Sequence, residues 1–341
     1  MKAVRFHGVG QLRVDDLPIP QPAESEVLIK VGAVGVCGTD THILDGHYPS
    51  TPPVTLGHEV AGTVVALGAG ATGVQVGDLV TVEPHRYCGQ CSFCRRGMEH
   101  MCPAKQAYGV HLDGGMAEYL AVPARIVYRL PAGVDASVGA LTEPLACCVH
   151  AIDRLQLTSG LPLYIGGCGP AGSMLIALAA RSGMSPIVAT DMREDRRQLA
   201  LRMGADVALD PSAGDLIQQA LTVTDGEGYP YLIDAVGHPK VLQDCITLSA
   251  RGGRILVFGV ADPAAEAVIR PNDIYSRELT ILGSAINPFT HHRAVGLLTR
   301  LPLGALRIKT FPLEEASAAL EAVRSGEFDK VQLVPAAQDA P

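Results

Sequence analysis

No block of lysine or arginine occurs anywhere in the chain. The 27 basic residues are outnumbered by 35 acidic ones and the formal net charge is −8. The electrostatic footprint of a nucleic-acid binder is therefore missing, and a small-molecule partner is expected instead. An apolar segment followed by a small-residue cleavage site is also missing from Met1-Lys2-Ala3-Val4-Arg5-Phe6, which argues against a secretory signal and for a cytoplasmic protein. Residues 157–180 are uncharged, and on length alone they raise the question of a membrane span. Pro162, Gly166-Gly167-Cys168-Gly169-Pro170 and Gly172 interrupt the stretch, so a buried strand, a tight turn and a buried helix account for it, and no membrane association is expected. There is no internal repeat and no low-complexity tract, and only residues 336–341 read as a disordered end. Nine cysteines in such a chain do not suit a disulfide framework, and four of them crowd into positions 88–102.

What is present is enough for two domains. A length of 341 residues fits roughly two units of about 100–200 residues each, and 48% hydrophobic residues can supply a sizeable core. Up to about residue 145 the pattern is one of short β-branched strands separated by Gly and Pro, with examples at 26–34, 60–67 and 78–82. From about 161, short apolar strands at 163–166, 186–190, 231–235 and 254–259 alternate with helical patterns. Such alternation predicts a parallel sheet flanked by helices. After about 286 the texture is mixed again, with an amphipathic segment at 314–323 and a strand at 331–334, and this tail is expected to rejoin the first domain.

Residues 37–59 concentrate metal-binding types. Cys37, His58 and Glu59 offer one thiolate, one imidazole and one carboxylate, a set suited to a catalytic zinc, which keeps three protein ligands and an open fourth position. The plain alternative is an inert buried thiol beside a core histidine. A second cluster, Cys88, Cys91, Cys94 and Cys102, matches a closed tetrahedral structural zinc; an iron–sulfur cluster also takes four thiolates. This second metal would stiffen a loop and do no chemistry.

Gly167-Cys168-Gly169-Pro170-Ala171-Gly172 is a GxGxxG that follows an apolar strand and opens a helix over about 171–181. In that context the helix N-terminus can seat a pyrophosphate. Asp191 ends the next strand, near twenty residues downstream, where a carboxylate accepts the adenosine ribose hydroxyls and repels a 2′-phosphate. The reading is NAD over NADP, with Arg193 and Arg196 nearby as the reservation; the plain alternative is that Asp191 only caps the following helix. Candidate cofactor contacts are Gly167, Gly169, Pro170, Ala171, Gly172, Asp191 and Arg196, with Val236, Phe258 and Gly259 farther along the chain.

Taken in order, the Cys-Gly-Thr-Asp segment at Cys37, Leu56-Gly57-His58-Glu59-Val60-Ala61-Gly62, the four-cysteine lobe, Gly115-Met116-Ala117-Glu118-Tyr119 and the GxGxxG unit resemble the zinc-containing medium-chain alcohol and polyol dehydrogenases over nearly the whole chain. The resemblance implies an α/β protein: a GroES-like β-rich catalytic domain over 1–148 and 287–341, and a Rossmann doubly wound parallel-sheet domain over 149–286. It also implies NAD and two Zn²⁺ ions, one catalytic and one structural. Cys37 and His58 are implied as ligands of the catalytic ion. Glu143-Pro144 resembles the sorbitol, arabitol and threonine dehydrogenase branch, where a carboxylate replaces a thiolate, so both Glu59 and Glu143 are candidates for the remaining ligand. Cys147 and Cys148 lie beyond the Glu-Pro and read as buried helix residues. Thr39 and His42 occupy the places that pass the alcohol proton toward the surface in the family, and His47 reads as a loop residue.

The implied reaction is oxidation of a secondary alcohol to a ketone. Tyr48-Pro49 and residues 283–290 look more like the sorbitol and arabitol enzymes, which points to a polyol or sugar-derived substrate, with L-threonine 3-dehydrogenase as the runner-up. Arg270, Arg277 and Arg293 are candidates for a sugar-phosphate pocket, or are ordinary surface cations. A reading from another class is a non-catalytic NAD-binding protein of the same fold, and zinc-free quinone reductases share the fold too. A homo-oligomer, dimer or tetramer, is expected, with 254–259 and 279–284 able to build an edge-to-edge interface.

Overall fold

The β-branched segments of the first part of the chain pair into a mixed sheet whose central strand sets the geometry of everything near residue 37. The computed structural model describes residues 1–336, so the expected disordered end lies, apart from Ala336, outside the described residues. One unit takes residues 1–144, 291–300 and the tail from Arg307. Its main sheet runs, strand by strand, Val127–Arg129, Leu79–Val82, Glu59–Leu67, Glu26–Val36, Lys330–Leu333, Ile308–Phe311, with Tyr119–Pro123 also paired to Glu26–Val36. Ile29, Val31, Val34, Val64, Val80, Leu120 and Leu333 are buried in the core beneath it, each contributing about 1.5–3 kcal/mol by leaving water.

The central strands run farther than their apolar pattern predicts. The strand expected at 26–34 continues to Val36, and the one expected at 60–67 begins at Glu59. Gly35 pairs with Glu59, and on its other side with Gln332. Antiparallel pairing in that register brings Cys37, just past one strand, beside His58, just before the other. The tail rejoins this unit through Lys330–Leu333, and the amphipathic segment forms a 3₁₀ turn at Leu313–Glu315 followed by the helix Ala316–Ser325.

The second unit takes residues 145–290 and 301–306. Six parallel strands lie in the order Val207–Leu209, Ile187–Thr190, Leu163–Gly166, Tyr229–Asp234, Ser249–Val257, Thr280–Gly283. Numbered along the chain this is 3-2-1-4-5-6, the doubly wound order that opens a crevice beyond the carboxyl ends of strands one and four. Tyr164, Val188, Leu232 and Ile255 are buried in its core. The strand expected at 254–259 stops at Val257, because the N–H groups of Phe258 and Gly259 both turn to donate to the Asp234 carbonyl. The units divide at 144/145 and 290/291, where the sequence suggests 148/149 and 286/287. The helix Thr142–Leu155 runs unbroken through the first division, so no turn residue marks it. Among the described residues no helix is long and apolar enough to cross a membrane.

Candidate metal centres and nucleotide site

Strand pairing delivers three ligand types to one point. A thiol sulfur of Cys37, a ring nitrogen of His58 and a carboxylate oxygen of Glu59 all lie within 4.8 Å of one another. Cys37 precedes the short helix Gly38–Leu44, and Asp40 in its first turn accepts the Cys37 N–H at 2.8 Å. The other Asp40 oxygen stands 3.6 Å from His58 Nδ1. One fully buried carboxylate therefore holds the Cys37 backbone and faces the His58 ring, the place taken by the outer partners of metal ligands. Burial is the largest influence on His58 and lowers its pKa, but Asp40 and Cys37 outweigh it and hold the imidazole well above its ordinary value.

Two further charges border this group. Glu143, on the Thr142–Leu155 helix, is buried but lies outside the trio. Lys330 was not singled out by the sequence, yet its Nζ sits 2.7 Å from one Glu59 oxygen and 2.5 Å from the other, with both side chains buried. Burial pulls the ammonium down most strongly, and Glu59, Cys37 and Glu143 together raise it above its ordinary value. Gly35 makes room for the pair: a Cβ there would stand 1.8 Å from Glu59 Oε2. Asp40 could have been found from its spacing of three after Cys37, the N3 position of a capped helix. Lys330 left only the faint signal of a lysine heading an apolar strand.

Of the relay candidates, Thr39 Oγ1 lies 3.7 Å from Cys37 Sγ, and His42 is exposed on the same helix, its ring centroid 6.3 Å from that of His47. Cys147 is half-buried and Cys148 buried, its thiol 3.6 Å from the Ala171 carbonyl. Neither belongs to a metal-like group among the described residues.

The second cluster is complete. Ligand atoms of Cys88, Cys91, Cys94 and Cys102 are all within 4.8 Å of each other, with sulfurs 3.9 Å apart for Cys88 and Cys94 and 3.5 Å for Cys91 and Cys94. Four thiolates around one tetrahedral zinc, at Zn–S about 2.3 Å, stand about 3.8 Å apart. These spacings fit a single ion, whereas disulfides need about 2.05 Å. The backbone N–H groups of Gln90 and Cys91 push the Cys88 thiol down to about 6, which prepares a thiolate.

In the second unit the glycine turn has the form a dinucleotide needs. Gly167 takes φ +100°, and a Cβ on Gly172 would stand 2.0 Å from the Gly167 carbonyl. Pro170 occupies the first turn of the helix Pro170–Arg181, where its missing N–H costs nothing. Asp191 serves two backbones: one oxygen accepts the Cys168 N–H of the glycine turn, the other the Arg193 N–H, both at 3.0 Å. Arg196 Nη1 stands 3.8 Å from the same carboxylate, while the Arg193 guanidinium is held by Asp195. A cleft lined by Gly167, Asp191, Arg193, Arg196, Val236 and His238 opens there. Val236 covers Gly167, and Gly259 packs against the Val236 backbone, which brings the far candidates to the same sheet edge. Cys168 is buried and its thiol is pushed up to about 12, chiefly by burial. Arg277 is spent on the carbonyls of Ser249 and Ile246.

Residues 23–132 match a family model described as an alcohol dehydrogenase GroES-like domain, and residues 170–299 one described as a zinc-binding dehydrogenase. An L-threonine 3-dehydrogenase of Bacillus licheniformis is 35% identical over 94% of this chain and 94% of its own. A sorbitol dehydrogenase of Halalkalibacterium halodurans is 35% identical over 96% of this chain and 97% of its own. Among solved structures, a Sinorhizobium meliloti protein described as a zinc-binding dehydrogenase and bound to NADP superposes with a TM-score of 0.93, at 36% identity, over 98% of this chain and 99% of that one.

Proposed function

We propose that this chain, which belongs to the zinc-binding, GroES-like alcohol dehydrogenases, oxidises a secondary alcohol of a polyol or sugar-derived substrate to a ketone with NAD. The observation that carries the proposal is the convergence of Cys37, His58 and Glu59 within 4.8 Å. Zinc, when bound, polarises the substrate oxygen, and the nicotinamide accepts the hydride. The chain's own residues do the rest. Cys37, His58 and Glu59 hold the ion, Glu143 supplies a second carboxylate beside them, and Asp40 orients the imidazole. Thr39 receives the alcohol proton and His42, exposed on the same helix, releases it to solvent. Gly167, Gly169, Pro170, Ala171 and Gly172 take the pyrophosphate at the helix N-terminus, Asp191 and Arg196 take the adenosine ribose, and Val236, Phe258 and Gly259 border the cofactor.

Glu143-Pro144, Tyr48-Pro49, residues 283–290 and the sorbitol dehydrogenase relative support a polyol. The threonine dehydrogenase relative at equal identity supports L-threonine as the second reading. The free thiols of all nine cysteines suit a reducing, cytoplasmic setting. Among the described residues Thr280–Gly283 ends the parallel sheet with its outer edge unpaired and Ile281 exposed, which suits edge-to-edge association into a homo-oligomer. NADH formation should be followed across sugar alcohols, L-threonine and phosphorylated polyols, with zinc counted in the same preparation. Two zinc ions per chain and turnover of a sugar alcohol are expected. Turnover of L-threonine alone would move the assignment to the second reading, and no turnover of any alcohol with both ions bound would refute it.

A further inference from the structure

The cleft beside the glycine turn holds a buried charge that neither the metal groups nor that turn uses. It is a cavity of about 510 Å³, within the span of small-molecule sites, about 300–1,000 Å³. Met192, Pro211, Leu216, Val236 and Val241 supply apolar walls, suited to the two faces of a flat ring. Neutral polar groups in the lining are already engaged. Tyr164 and Thr190 pair their hydroxyls at 3.1 Å, and His238 Nδ1 accepts the Lys240 N–H at 3.2 Å. Asp244, on the helix Pro239–Leu248, also lines the cavity and is only 7% exposed. The Lys240 ammonium, one turn earlier on that helix, holds one of its oxygens. The other oxygen has no partner among the described residues, yet it is not sealed off from the cavity. A buried carboxylate oxygen left open in this way is costly unless a ligand donates to it.

We propose that Asp244 is a specificity-determining residue that reads the base of the dinucleotide, its open oxygen accepting a hydrogen bond from the 6-amino group of adenine. The proposal rests on the NAD reading above. With the adenosine ribose on Asp191, in the same cleft, the attached base enters between the apolar walls with its polar edge leading. An ionised carboxylate can only accept. On that edge of adenine N1 and N7 accept as well, and the amino group alone donates, so it is the one partner the oxygen can take. Lys240 occupies the first oxygen and so fixes which one meets the base. A 6-oxo purine would set its carbonyl oxygen against the carboxylate, two acceptors with no hydrogen between them. A purine with only hydrogen at C6 would leave the oxygen unmet.

Calorimetry on the full wild-type chain, Asp244→Ala and Asp244→Asn measures the affinities for the 5′-monophosphates of adenosine, purine riboside and inosine. Wild type should bind the adenosine compound about tenfold more tightly than the purine riboside compound, as for a hydrogen bond to a charged group, and the inosine compound more weakly still. In Asp244→Ala the adenosine and purine riboside compounds should bind within about twofold of each other, because the cycle removes both sides of one contact. In Asp244→Asn the ammonium of Lys240 takes the amide oxygen and turns the amide NH₂ toward the base, a donor facing a donor. The preference for adenosine over inosine should then be lost, which a merely structural role for the residue would not produce. Equal wild-type binding of the adenosine and purine riboside compounds overturns the proposal, and so does the wild-type preference persisting in either variant. Should Asp244→Ala not fold, the isosteric Asp244→Asn decides alone. A wild-type chain that binds neither NAD nor any of the three nucleotides would instead refute the dinucleotide reading itself.

Discussion

Replacing Cys37 by alanine removes the thiolate that closes the ligand trio and leaves the second unit untouched. Turnover is expected to fall by roughly 10³-fold or more, since several kcal/mol of charge stabilisation go with the metal. NADH binding, read by fluorescence titration, should stay within about twofold; near-normal kcat with an emptied site would refute the assignment. Asp191 is the corresponding test in the nucleotide cleft. Its carboxylate anchors the glycine turn through the Cys168 N–H, so Asp191→Ala loses both that anchor and the proposed ribose acceptor. NAD affinity should drop about 10–100-fold, as for loss of a hydrogen bond to a charged group, and an unchanged Kd would show the residue to be only a cap. Cys37, His58 and Asp191 were legible in the sequence because their residue types are rare in their settings and spaced as the chemistry requires. Lys330 was not: it stands 271 residues from Glu59, and only the sheet joins them.

At the scale of elements, the Glu59–Lys330 pair and the trio depend on three adjacent strands keeping one register. Gly35→Ala would put a methyl group 1.8 Å from Glu59 Oε2, an oxygen already paired with the Lys330 ammonium. A cost of about 1–3 kcal/mol is expected, as for other overpacked positions, with loss of one zinc per chain in metal analysis while the quartet keeps its own; full zinc content with unaltered stability would contradict this geometry. The quartet loop has its own test. Cys94→Ser should cost the structural zinc and open residues 88–102 to limited proteolysis, with the Cys37 group still loaded, because a closed four-thiolate site is local to its loop. That loop could be read from spacing alone. The extension of the central strands to Val36 and Glu59 could not, since glycine at 35 and a carboxylate at 59 weaken the strand pattern that the sheet nevertheless imposes.

For the molecule as a whole, acid sensitivity has an identifiable contributor that belongs to neither metal-like group. His291 is fully buried, its Nε2 3.4 Å from Thr81 Oγ1 and its ring centroid 5.0 Å from that of Tyr128. Burial, with His292 beside it, lowers its pKa from 6.5 to about 3. Between those values the unfolded chain binds a proton that the folded chain refuses. Its stabilising contribution is therefore whole above about pH 6.5 and is lost as pH falls toward 3, at up to about 1.4 kcal/mol per pH unit. In denaturant titrations at pH 7 and pH 5, wild type should lose more stability than His291→Gln, and equal losses would exclude this contribution.

The sequence by itself determined which chemistries the chain carries. The cysteine spacing and the glycine turn followed by a carboxylate are local patterns, and their geometry is set within a few residues. Alternating strand and helix likewise fixed the parallel sheet, because period and connection length leave few topologies. The tertiary structure alone decided how Glu59 is held. Cys37, Glu59, Glu143 and Lys330 come from separate segments, and strand pairing across a glycine, which no local pattern encodes, brings the ammonium to the carboxylate. The opening cluster at 37–59 could be read as a metal pocket from its residue types, but its counter-charge came from the far end of the chain.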